Sequence, residues 1–123
     1  MARIDKYDPV SGGFRALLNA NYTGSPNVVG VGLNGTGKVV VGGGVTGIVG
    51  VICLPIDHAA GTPVDVMTDG EIVQFGGAAG TVYTANTTTG AVTTAAPSAT
   101  QTAVGWTAEA NRLIIRAQRT LAT

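Results

Sequence analysis

Apolar residues in this chain come in short runs, cut at close intervals by Gly, Pro, Asn and Asp. Val28-Val29-Gly30-Val31-Gly32-Leu33 reads as a strand, and Asn34-Gly35 after it is the strongest short hairpin signal, because both turn positions favour positive φ. Lys38 to Val41 returns as a second strand, Gly42-Gly43-Gly44 interrupts it, and Gly47 to Leu54 is a third, buried run closed by Pro55. Val64-Asp65-Val66-Met67-Thr68 alternates with period two; Asp69-Gly70 predicts a second hairpin turn, with Glu71 to Phe75 as the return strand. Thr81–Thr84 and Ala91–Thr94 flank a polar turn at Asn86–Gly90, and Ala103–Ala108 pairs with Leu113–Ala117 across 109–112. This makes about eight or nine short strands with turn signals every 8–12 residues, which predicts an all-β fold, a small Gly-rich β-barrel or sandwich.

The first residues read differently. Arg3, Asp5, Lys6 and Asp8 are followed by Pro9, by Gly12-Gly13 and, further on, by Pro26. Phe14, Leu17 and Leu18 could form a single helical turn, but no long helical period develops. We therefore divide the chain into an extended N-terminal arm, residues 1–26, and a β-rich body, residues 27–123. Ile4, Tyr7, Val10, Phe14, Leu17 and Leu18 are too apolar for a plain tail. With Arg3, Lys6 and Arg15 they are the candidate interface, anchors that fill grooves on a neighbouring subunit.

Composition sharpens this picture. Gly supplies 19 of 123 residues, about twice the usual fraction, and charged residues only 11% against a typical figure of about 25%. Net charge is zero and mean hydropathy is +0.32. A small domain so poor in charge has little colloidal protection, so part of its surface is expected to be covered by copies of itself or by a larger assembly. The longest apolar stretch, Val45 to Ile56, is broken by Gly47, Gly50 and Pro55 and falls short of the ~20 residues of a spanning helix. The charged N-terminus is no secretory leader and a single Cys excludes an internal disulfide, which together predict a protein made in a cytoplasm.

Few residues could carry chemistry. Gly30 to Gly35 matches GxGxxG, and Gly32 to Lys38 matches the start of a phosphate loop, GxxxxGK. Both need a helix N-terminus to hold the phosphate, and Val39-Val40-Val41-Gly42-Gly43-Gly44 cannot form one, so the β-hairpin reading stands. Cys53, inside an apolar run, reads as a buried small hydrophobe, and His58 as a solvated loop residue. Asp57, Asp65, Asp69 and Glu71 gather without an intervening base and could hold a cation, although acids at turn tips and on solvated strand faces are ordinary. Trp106 is assigned to the core, with an interface anchor as the alternative. The basic residues lie mainly toward the two ends without interleaved aromatics, which argues against nucleic acid. No catalytic residue, metal site or cofactor is predicted.

Several segments together suggest a family: the charged arm, the Val/Gly hairpin, Ala60 to Ile72, Ala79-Gly80-Thr81-Val82-Tyr83, and the ending Val104-Gly105-Trp106 with Arg112-Leu113-Ile114-Ile115-Arg116. In these the chain resembles the head decoration, or capsid cement, proteins of tailed bacteriophages, with the nearest likeness to those of actinobacteriophages. The resemblance covers most of the chain and rests on β-turn patterns. It implies a β-tulip-like body, a place on the capsid exterior of a virion, the major capsid protein as partner, and a homotrimer at three-fold positions that stabilises the shell. The alternatives are another virion component, such as a head fibre base or minor tail protein, and a small β-barrel ligand- or carbohydrate-binding module. The last is disfavoured by a total of one Trp, two Phe and three Tyr.

Overall fold

A computed structural model of the chain describes residues 12–54 and 56–117. Ten strands, and no helix, occur among them. They are β1 (Gly13–Leu17), β2 (Val28–Leu33), β3 (Val39–Gly44), β4 (Gly50–Cys53), β5 (Pro63–Met67), β6 (Asp69–Val73), β7 (Val82–Asn86), β8 (Val92–Thr93), β9 (Gln101–Glu109) and β10 (Arg112–Arg116). They form two five-stranded sheets, in the orders β1-β5-β4-β2-β3 and β6-β10-β9-β7-β8. Neighbours are antiparallel except β2 and β3, whose bridges are of parallel type and shift register at both steps.

The first sheet curls into a half-barrel. Beyond the end of its edge strand β1, Leu18 bridges Val39 of the opposite edge strand, and the Asn19 amide donates to the Val39 carbonyl (2.9 Å). Period-two alternation then sends one set of side chains into the roll: Leu18, Val29, Val31, Val39, Ile52, Val64 and Val66 pack there as one cluster. The opposite set, including Val28 and Val51, faces the second sheet, where it meets Ile72, Tyr83, Ala85, Val104, Leu113 and Ile115. Phe75 closes on Tyr83 edge to face, with centroids 4.9 Å apart. One chain thus builds two cores, inside the roll and between the sheets.

Glycine sets how closely strands approach, between the sheets and within one. A Cβ on Gly30 would lie 2.4 Å from the Ala85 Cβ of β7 in the second sheet, and one on Gly32 would lie 1.9 Å from the carbonyl oxygen of Gly43 in the neighbouring β3. The bare backbone also lets the turn of the second sheet bond directly to the first: the Gly30 amide donates to Gly90 O (2.7 Å) and the Gly43 amide to Thr87 O (2.8 Å).

Two predicted turns take other forms. At Asn34-Gly35 neither residue has positive φ; Gly37 does instead (φ 80°). The connection is organised by the Asn34 side chain, whose Oδ1 accepts from the amides of Thr36 (2.9 Å) and Lys38 (3.0 Å) and from the Thr36 hydroxyl (2.8 Å). Asp69-Gly70 is not a turn at all. Both residues are extended in β6, and the chain crosses at Thr68 from the first sheet into the second. Val64 and Val66 serve the roll while Ile72 serves the layer between the sheets, and β6 pairs with β10 instead of folding back on β5. The third strand is shorter than expected, Gly50–Cys53, with Ile48 reaching the core from the loop before it; Pro55 lies outside the described residues. The turn at Asn86–Gly90 and the β9–β10 pairing stand where the pattern puts them, with Gly90 (φ 73°) and Asn111 (φ 68°) in the left-handed region.

Candidate functional site

Residues 30–38 are committed to structure. Gly30 and Gly32 lie within β2 with no room for a side chain, and no helix follows them. Gly30 packs on the Ala85 methyl and Gly32 on the Gly43 backbone.

Cys53 is exposed at the end of β4, which corrects its assignment as a buried hydrophobe. It lies opposite Val28 on the face turned toward the second sheet, but beyond the part that sheet covers. The His58 backbone pairs with Tyr22 through two amide bonds of 2.8 Å, and its ring Nδ1 lies 2.8 Å from the Ile56 carbonyl oxygen.

Three of the acids expected to gather are instead matched one by one with arginines. Arg15 sits directly opposite Asp65 in the β1–β5 register, with Nε 2.9 Å from Oδ1. The Arg15 hydrogen bond is the main cause that holds the Asp65 carboxyl below its usual range, desolvation opposes it, and the guanidinium charge adds to it. Arg116 pairs with Asp69 across β10–β6, and Arg112 reaches both Glu71 (3.4 Å) and Glu109 (3.5 Å). Among the described residues no group of three or more His, Cys, Asp or Glu is placed to hold a metal ion.

Arg3, Ile4, Lys6 and Tyr7 of the candidate interface lie outside the described residues. The rest are built into the first sheet: Phe14 packs on the core of the roll, Arg15 makes its ion pair, Leu17 is 45% exposed and Leu18 is buried. In strand pairing, the described part of residues 1–26 belongs to the body.

The structure also places two features that pattern reading missed or misplaced. Trp106 is not core; it is 42% exposed on the outer face of the second sheet. Cross-strand register puts Val82 on one side of it and Ile114 on the other, an uncharged row across β7, β9 and β10. Strict alternation from buried Val104 would put Trp106 inside; the register shift against β7 at Val104, where Tyr83 faces Gly105 and Thr84 faces Ala103, reverses the phase and leaves Trp106 outside. The second feature is a cleft of about 810 Å³ at the open end of the layer between the sheets. Its floor is one face of β1, β5 and β4 — Gly13, Arg15, Asp65, Met67, Val51 and Cys53 — and Asp69 and Ile72 of β6 form its wall.

No family model matches this sequence, and no curated protein matches it. The fold does have a match among solved structures. A chain of Mycobacterium phage Patience superimposes with a TM-score of 0.81 at 20% identity, over 98% of this chain and 97% of that one. At such low identity the likeness establishes a shared fold, carried through nearly the whole of both chains.

Proposed function

We propose that this protein is a structural component of a bacteriophage virion that sits on the outside of the capsid and stabilises the shell through contacts alone. The observation that carries the reading is the end-to-end correspondence of fold with a chain from Mycobacterium phage Patience. The surface is consistent with such work. Charged residues are scarce, most of those on β1, β5, β6 and β10 are spent on one another, and Val82, Trp106 and Ile114 leave an apolar row of the kind that anchors interfaces. On this reading the partners are the major capsid protein and other copies of the chain, arranged as a homotrimer at three-fold positions.

Cryo-electron microscopy of heads from the phage that carries the gene tests it. Density fitting this fold at three-fold positions on the outer surface is expected. Density only at hexamer centres would refute the trimer, and its absence from the head, or presence in the tail, would refute decoration itself.

A further inference from the structure

Asn34-Gly35 is the strongest turn signal in the sequence, and contacts with a shell make no use of it. In the structure it heads the connection between β2 and β3, where residues 35–38 are all exposed. The Asn34 amide donates to the Lys38 carbonyl (2.9 Å), and the Asn34 carbonyl accepts from the Gly37 amide (3.0 Å). The side chain is held as firmly. Its Oδ1 takes three donors, the amides of Thr36 and Lys38 and the Thr36 hydroxyl, and its Nδ2 donates to Asn19 Oδ1 (3.0 Å). The Gly35 amide makes no hydrogen bond to any described residue.

We infer that Asn34 is a site of spontaneous deamidation, through a succinimide closed by the Gly35 nitrogen. That nitrogen adds to the Asn34 Cγ and gives up its proton through water. The Cγ–Nδ2 bond then breaks, and Nδ2 leaves as ammonia with the proton it gains. Water reopens the ring at one of its two carbonyls, giving an aspartyl residue or an isoaspartyl one whose main chain runs through Cβ and Cγ. One water is consumed, one ammonia is released, and nothing is oxidised or reduced. Negative charge develops on Oδ1 as the nitrogen adds, and the three donors already aimed there stabilise it as those of an oxyanion hole do. Glycine suits the second position because a Cβ there would crowd the closing ring. Comparable positions each lack something. Asn86 is capped alike, by the Thr88 and Thr89 amides, but the next amide, that of Thr87, is held by the Thr100 carbonyl (2.9 Å). The amide after Asn21, that of Tyr22, is held by the His58 carbonyl (2.8 Å). Asp69-Gly70 has the glycine, but it lies extended in β6 opposite β10, with a carboxylate paired to Arg116. Either product at position 34 puts a negative charge on a chain of net charge zero and removes the donor to Asn19.

Purified folded protein is held at mildly alkaline pH, sampled over time and digested in acid. Fragmentation mass spectrometry then follows amide-to-acid conversion at each asparagine, and released ammonia gives a second count. No shell is present, so the outcome is independent of any role in a virion. Conversion at Asn34 is expected to outpace that at Asn86 and Asn21 at least tenfold, with aspartyl and isoaspartyl products both formed. Gly35→Ala, where the added Cβ meets nothing within 4 Å beyond its chain neighbours, should slow it at least tenfold. In denaturing urea, where the donors to Oδ1 are dispersed, the rate at Asn34 should hold or fall. Conversion at Asn34 no faster than at Asn86 would overturn the inference. So would a rate that at least doubles in urea, since the cap would then shield Asn34 from attack.

Discussion

Gly30→Ala tests how this fold closes. The added methyl would lie 2.4 Å from the Ala85 Cβ and 3.4 Å from both the Gly90 carbonyl oxygen and the Ile48 Cδ1. Ala85 is fully buried and sits in β7, so the neighbour is a rigid stub rather than the tip of a flexible side chain. Relief requires the sheets to separate by about an ångström, against Gly30 N–H···O Gly90 at 2.7 Å. Overpacking of this kind costs about 1–3 kcal/mol. Gly30 is not in the left-handed region, so alanine recovers about 0.4–1 kcal/mol from the less disordered unfolded chain. The net expectation is a loss of about 1–2 kcal/mol, or about 4–8 °C in Tm at this chain length. Calorimetry and urea titration measure it. Gly35→Ala, where a Cβ meets nothing within 4 Å and φ is not positive, is the control and should leave Tm unchanged or slightly raised. The double variant Gly30→Ala, Ala85→Gly moves the methyl from one sheet to the other and should restore most of the loss. A double variant no more stable than Gly30→Ala alone would refute the argument from sheet spacing.

Asn34→Ala removes the oxygen that gathers Thr36 and Lys38, and should cost about 1 kcal/mol by chemical denaturation with the strands intact. Asp65 has a depressed carboxyl pKa in the folded chain, owing first to its hydrogen bond from Arg15; its stabilisation is present above the usual aspartate pKa and is lost as pH falls through the folded value. Asp65→Asn should therefore lose less stability between neutral and acid pH than the unaltered chain, by a small margin because both partners are exposed, and 1 M salt should narrow that margin further. Trp106→Ser should leave Tm within about 2 °C while weakening attachment of the purified protein to undecorated shells at least tenfold; undiminished attachment would place the contact on another face.

Local chemistry was legible in the sequence at two turns that join strands of the second sheet. Asn86–Gly90 and the β9–β10 connection are of this kind, since a left-handed residue and a local side-chain cap settle them. The β5–β6 segment was misread because alternation states only that a strand has two faces. Whether Val66 and Ile72 face the same core depends on strands distant in sequence, β4 for one and β10 for the other. Trp106 was misplaced on its size, since a break in the alternation of β9 turns it to the outer face, and Cys53 on its apolar neighbours, since it lies on the inner face beyond the part the second sheet covers. The cleft could not be read at all, because it lies between β1, β5 and β4 of one sheet and β6 of the other, and alternation says nothing of how two sheets meet.

Sheet membership follows chain order without exception: β1 to β5 build the first sheet, β6 to β10 the second, and the chain passes between them once, at Thr68. A polypeptide emerging from a ribosome would complete every strand of the roll, with Leu18 already able to meet Val39, before any strand of the second sheet is made. The nascent half would carry Val28, Val51 and Met67 uncovered until their counterparts arrived, and those counterparts come from the second half as one uninterrupted block. The molecule is thereby assembled like two consecutive sentences rather than one interleaved one, and Thr68 is the natural place to cut the gene and ask whether two separately made halves find each other.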